Sequence, residues 1–204
     1  APMSGVTDLP FRRLAHELGA GLVVSEMVAS QELMGAREDV LLRASGQGSF
    51  TPLVIQLAGR EAHWMAEGAK IAEGLGADII DINMGCPSKN VASSGSGAAL
   101  IRTPERALRI MEAAHQGIKD WANGQSLKEA GVRPAIIEKV IEMNKENQWE
   151  TPSLSRRKPI PLSVKTRLGY DEIVIEEWSE CLTQGKPEAI SIHGRTLQQM
   201  YRGE

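Results

Sequence analysis

The chain has 204 residues, 42% of them hydrophobic, with a formal net charge of -3 and a pI near 5.9. That supports one substantial core and excludes a wholly basic nucleic-acid coat, so contact with a polyanion must come from local patches or from a part beyond this sequence. No apolar run approaches the roughly 20 residues that cross a bilayer. No secretory leader is visible, and the two cysteines, Cys86 and Cys181, make no disulfide framework and fit a reducing cytoplasm.

In chain order, Ala1-Pro2-Met3 reads as the stub of a first strand. Thr7 or Asp8 can cap a helix on which Phe11, Leu14, Ala15 and Leu18 share one face, and Gly19 suits its end. Runs at residues 21–25, 53–57, 78–83, 162–165 and 189–193 are apolar at nearly every position, as strands of a parallel sheet covered on both faces are. Met65, Ala66, Ala69, Ala72 and Leu75 mark a second helix closed by Gly76, Pro104 opens a third, and residues 173–182 supply another.

Residues 117–161 break this rhythm, being far longer than the about two to six residues usual for such a connection. Within them, 134–149 reads as an amphipathic helix with Ile137, Val140 and Ile141 on one side, and 153–161 carries Arg156-Arg157-Lys158 between prolines. A solvated surface excursion is the plain expectation, an RNA-contacting patch the sharper one.

An internal echo selects the fold class. His16-Glu17-Leu18-Gly19-Ala20 leads into one apolar run, and Glu73-Gly74-Leu75-Gly76-Ala77 leads into another. A repeated α/β unit of this kind builds a doubly wound sheet or a (β/α)₈ TIM barrel. The barrel is preferred, because no Gly-x-Gly-x-x-Gly opens a helix after the first strand.

Active sites of parallel barrels sit at the carboxyl ends of the strands. The polar residues ending the apolar runs are Glu26, Gln56, Asn83, Lys165 and His193, with Met3 closing the stub. Lys165 brings a positive charge, Gln56 an amide that donates and accepts, and His193 a group that exchanges protons near neutrality. No zinc-ligand spacing is present and no carboxylates are paired for hydrolysis. Such a set suits the anionic form of a reduced flavin, and equally a phosphate. Beyond Asn83, the loop Met84-Gly85-Cys86-Pro87-Ser88-Lys89 holds a cysteine between glycine and proline, where catalytic residues concentrate. Cys181, on an apolar helix face, reads as a small core residue. Gly95-Ser96-Gly97 is weak as a phosphate motif and fits a mobile lid as well.

These stretches resemble the tRNA-dihydrouridine synthases. The opening Ala1-Pro2-Met3-Ser4-Gly5-Val6-Thr7-Asp8-Leu9-Pro10-Phe11-Arg12 is similar to theirs, as are Ser25-Glu26-Met27 and Ile55-Gln56-Leu57. Asp81-Ile82-Asn83-Met84-Gly85-Cys86-Pro87, followed by Gly95-Ser96-Gly97-Ala98-Ala99-Leu100, matches the most diagnostic signature. Val164-Lys165-Thr166-Arg167-Leu168-Gly169 and Ile192-His193-Gly194-Arg195-Thr196 complete the order.

The resemblance implies an FMN-containing (β/α)₈ barrel followed by a helical tRNA-binding domain. It implies cytoplasmic reduction of a tRNA uridine to dihydrouridine, with NADPH or NADH as electron source. Carried over by residue, Pro2 and Met3 would touch the isoalloxazine, Gln56 would hydrogen-bond the ring, and Lys165 and His193 would contact the ring or the ribityl phosphate. Asn83 would orient the uracil, with Glu26 also on the substrate side. Cys86 would protonate carbon 5 while flavin hydride reaches carbon 6. Lys89 and Arg195 are candidates for RNA phosphate. Residues 1–204 are expected to be a partial catalytic domain, with the strands that commonly carry the phosphate loops and the helical domain outside it. Its sheet edges would then be exposed. Two other readings compete. A different FMN barrel, such as a dihydroorotate dehydrogenase or enoate reductase, would share Lys165 but not need the Asn-Met-Gly-Cys-Pro loop. A truncated product could bind RNA or nothing.

Overall fold

A computed structural model of the chain describes residues 2–35, 38–49, 51–146, 157–200 and 202. Its core is a parallel sheet. β1 (Val23–Val24) and β2 (Val28–Ala29) both pair with β3 (Leu53–Ala58), which continues to β4 (Ile79–Met84), β5 (Leu162–Gly169) and β6 (Ala189–Thr196). Spatial order follows chain order without reversal. A doubly wound sheet would reverse, so the arrangement is an arc of a (β/α)₈ barrel, α/β as the echo implied. Only Val23–Val24 of the run expected at 21–25 is strand, a second short strand follows at Val28–Ala29, and the last two strands continue past their apolar runs to Gly169 and Thr196.

The helices are α1 (Leu9–Glu17), α2 (Ser30–Leu33), α3 (Glu38–Ala44), α4 (Ala62–Gly74), α5 (Lys89–Ala92), α6 (Pro104–Ala122), α7 (Pro134–Glu146) and α8 (Ile175–Gln184), with a 3₁₀ turn at Gly97–Arg102. α4 and α6 pack against each other, their buried Met65, Ala69, Ile110 and Met111 belonging to the same core as the sheet. Strand side chains alternate sides. Ile55, Leu57, Ile80, Ile82, Met84 and Val164 are buried in that core, each contributing about 1.5–3 kcal/mol relative to exposure. The opposite face carries Gln56, Asp81, Asn83, Ser163 and Lys165. The echo has a backbone cause: α1 and α4 are each followed by a glycine at positive φ, Gly19 at 95° and Gly76 at 94°, which turns the chain toward the next strand.

Two expectations about packing need correction. Asp8 caps α1, accepting from the Phe11 N–H at 3.0 Å, but Phe11, Leu14 and Leu18 are exposed and the buried residue is Arg12. α1 lies beside β1, which among the described residues is an edge strand with no strand beyond it. The described residues of 117–161 are not simply a solvated excursion. α6 continues to Ala122, and Leu127, Val132, Ile136, Val140 and Met143 join the core. Asn144 Nδ2 donates to Gly74 O at 2.8 Å, and Arg133 Nη2 to Met34 O at 2.9 Å. Arg157 stacks over Trp121 at 4.1 Å and donates to the Trp121 and Gln125 carbonyls. The segment therefore docks on the barrel wall. Residues 147–149 of the expected helix, and Arg156, lie outside the described residues. Among those described, no helix is long and apolar enough to cross a membrane.

Candidate active site

Strand register brings the polar residues together. Gln56 pairs with Asp81, Asp81 with Ser163, Asn83 with Lys165, Lys165 with Ser191, and Arg167 with His193. At the carboxyl ends of these strands, Pro2, Met3, Gln56, Asn83, Cys86, Lys165 and His193 line one cleft of about 480 Å³. A larger hollow of about 810 Å³ shares Pro2, Lys165 and His193 and extends along Val54, Asp81, Ser163 and Ile190. Both volumes lie in the range of about 300–1,000 Å³ typical of small-molecule and cofactor sites.

The cleft floor is hydrogen-bonded throughout. Gln56 Nε2 donates to Asp81 Oδ2 at 2.6 Å, and Ser163 Oγ donates to Asp81 Oδ1 at 2.5 Å. Asn83 Nδ2 donates to Gln56 Oε1 at 2.8 Å. Asn83 Oδ1 accepts the backbone N–H groups of Gly85 at 3.2 Å and Cys86 at 2.9 Å. The Cys86 carbonyl in turn accepts from Ala98 N at 3.2 Å, which ties the cysteine loop to the glycine-rich turn. Gly97 has φ +61°, and a Cβ there would lie 2.9 Å from the Cys86 oxygen, so only glycine permits this approach. Arg167, almost buried, donates through Nε to Gly85 O at 2.6 Å and through Nη1 to Thr196 O.

The charges are arranged as the strand order dictates. Burial lowers the Lys165 pKa, Arg167 lowers it further, and Asp81 opposes both. Burial also lowers the pKa of His193, reinforced by Arg167, Lys165 and Arg195. Burial raises the Asp81 carboxyl, against the stabilising bonds from Ser163 and Gln56 and the charge of Lys165. Lys165 and Arg167 thus bring positive charge to the cleft beside the hydrogen-bonded Asp81, Gln56 and Asn83.

Three expected residues stand apart from the cleft. Glu26 is buried and accepts the Gly5 N–H, bracing the turn that follows Met3. Lys89 is exposed on α5, and Arg195 donates to Met200 O at 3.3 Å. Sequence reasoning missed Asp81 and Arg167. The alternation of strand side chains carried the signal for Asp81, two positions before Asn83, and for Arg167, two positions after Lys165. Cys181 is partly buried against the core, and burial raises its thiol.

The structure is an arc of a parallel (β/α)₈ barrel with Gln56, Asn83, Lys165, His193 and the Cys86 loop gathered in one cleft. The family model for dihydrouridine synthases matches residues 1–122, and the chain belongs to that family. It is 42% identical over 205 residues to a probable tRNA-dihydrouridine synthase of Rhizobium leguminosarum bv. phaseoli, covering 100% of this chain and 52% of that protein. It is 41% identical to one from Rhodobacter capsulatus, covering 100% of this chain and 51% of that protein. It is 32% identical to tRNA-dihydrouridine synthase B of Pseudomonas syringae pv. tomato, covering 100% of this chain and 49% of that protein. The chain thus spans about half the length of the curated relatives it matches.

Proposed function

We propose that the whole protein is a cytoplasmic tRNA-dihydrouridine synthase, an oxidoreductase that reduces a uridine of tRNA at carbons 5 and 6. The observation that carries this is the Cys86 loop, pinned by Asn83 at the mouth of a cleft that also holds Gln56, Lys165 and His193. Those residues fit flavin mononucleotide: Lys165 offers a cation, Gln56 an amide, and Pro2 and Met3 a backbone wall at the cleft edge. Bound there, the flavin would supply hydride for carbon 6, with NADPH or NADH as the source of electrons.

The chain's own residues do the rest. Lys165 balances negative charge gathered on the ring. Asn83 presents its amide to the uracil edge, with Cys86 held two residues beyond the strand end. Cys86 Sγ holds the proton delivered to carbon 5, general-acid work of a kind worth about 10²–10⁴ in rate. The base must leave its stack to arrive there, at a cost of roughly a few kcal/mol, which a partly unstacked loop of tRNA lowers. Lys89 and Arg195, outside the cleft, remain candidates for the RNA backbone.

The test uses the full-length protein. It should purify with a flavin absorbance and form dihydrouridine in unmodified tRNA when given NADPH. Flavin-loaded protein that reduces dihydroorotate-type or enone substrates, and leaves a panel of tRNAs untouched, would overturn the reading.

A further inference from the structure

The hydrogen bonds of the cleft floor all run one way. The Asn83 carbonyl oxygen faces two backbone donors, the N–H groups of Gly85 and Cys86. Its NH₂ therefore faces Gln56, which must meet it with its own oxygen. That leaves the Gln56 NH₂ facing Asp81. An amide can be turned over at little cost in space, but doing so here would set donor against donor at each junction. The direction is anchored at one end by backbone that cannot turn. At the other it is anchored by a carboxylate, which only accepts. All three side chains are buried, so a reversed or unmade bond costs about 1–3 kcal/mol.

We infer that Asp81 is a positioning residue. As the acceptor at the root of the chain Asp81–Gln56–Asn83–Cys86, it fixes the orientation of both amides and through them the seat of the Cys86 loop. The inference rests on the reading of Cys86 as proton donor. It also explains how Gln56 and Asn83 can serve ligands while holding the loop. Each spends one amide hydrogen on the relay and keeps the other, which no hydrogen bond among the described residues uses.

Ser163 makes the direction testable. An Asn at position 81 can still turn its oxygen to Gln56, provided its NH₂ finds an acceptor in Ser163 Oγ, which now donates to Asp81. With Asp81 intact, Ser163 is dispensable to the direction. The experiment compares full-length protein carrying Asp81→Asn, Ser163→Ala, both together, and Asp81→Ala. The readouts are kcat and KM for tRNA per bound flavin, and the rate of Cys86 alkylation by iodoacetamide relative to Cys181, read by peptide mass spectrometry. Asp81→Asn and Ser163→Ala should each lower kcat no more than about fivefold, whereas the double variant and Asp81→Ala, which has no acceptor for Gln56, should each lose about 100-fold, the double well beyond the product of its singles. KM should stay within about threefold throughout, because the relay acts on placement of the acid rather than on tRNA contact. In the double variant Cys86 alkylation should rise at least about threefold relative to Cys181 as the loop loses its anchor.

Effects of Asp81→Asn and Ser163→Ala that multiply simply, with alkylation unchanged, would overturn the inference, and a kcat loss within about fivefold with unchanged alkylation in Asp81→Ala would do so independently. If the wild type makes no dihydrouridine, the functional reading has failed. The alkylation ratio then decides the relay by itself.

Discussion

β4 and β6 belong to one parallel sheet, yet they occupy different physical settings. β4 has a partner on each side and helices behind it, and its residues are buried from Ile80 to Met84. Its inward Asp81 and Asn83 are bonded into neighbours on β3, on β5 and in the following loop. Among the described residues β6 is paired on one side only, and of its residues only Thr196 is buried, Ile192 being 44% exposed. Its inward His193 reaches the cleft without a hydrogen bond among the described residues. Side chains that need sub-ångström placement are therefore found on strands whose two neighbours over-determine them. The edge supplies a group whose position remains less constrained.

The comparison breaks first if the two strands cost the same to damage. Ile82→Ala, fully buried, should lower unfolding free energy by about 2–5 kcal/mol. Ile192→Ala should stay below about 1 kcal/mol in the same urea titration, as surface changes do. Comparable losses would mean that β6 is not the open edge described here. Next comes the inserted segment. Ile136→Ala should cost about 2–4 kcal/mol, because Ile136 sits fully buried in the common core. A change within about 0.5 kcal/mol would make residues 117–161 a detachable appendage.

The smallest effect sharpens the account of Asp81. Its folded-state pKa lies above the unfolded value of 3.8, chiefly through burial. A carboxyl shifted upward favours the folded chain when protonated, so its contribution is present below pH 3.8 and is lost as pH rises through the raised value. Asp81→Asn has no charge to bury. Its melting temperature relative to the parent should therefore improve as pH climbs through that window, and a flat difference would deny the shift.

Much of this was legible in the residues. Gln56, Asn83, Lys165 and His193 end apolar runs, and parallel strands put such ends on one rim. Cys86 was marked by its glycine and proline neighbours. Asp81 was hidden inside an apolar run, where its neighbours Ile80 and Ile82 point the other way. Glu26 lies between two short strands, Val23–Val24 and Val28–Ala29, rather than at the end of one, and there it braces Gly5. In α7 the expected face holds at Val140 and in part at Ile137, which packs against the core, but not at Ile141. Ile136, Val140 and Met143, spaced i, i+4, i+7, are buried, while Ile141 is exposed. Periodicity identified the helix, but only the barrel wall decides which overlapping face it buries. Likewise the Phe11, Leu14 and Leu18 face was readable, whereas its exposure depends on α1 lying at an edge.

The central claim is that Cys86 delivers a proton to a tRNA uracil in this cleft. Full-length protein and its Cys86→Ala variant should be compared for dihydrouridine formed in unmodified tRNA, with bound flavin measured in each. A loss of about 10²–10⁴ in rate at unchanged flavin content is the expected result. A variant that keeps both its flavin and its rate would contradict the account.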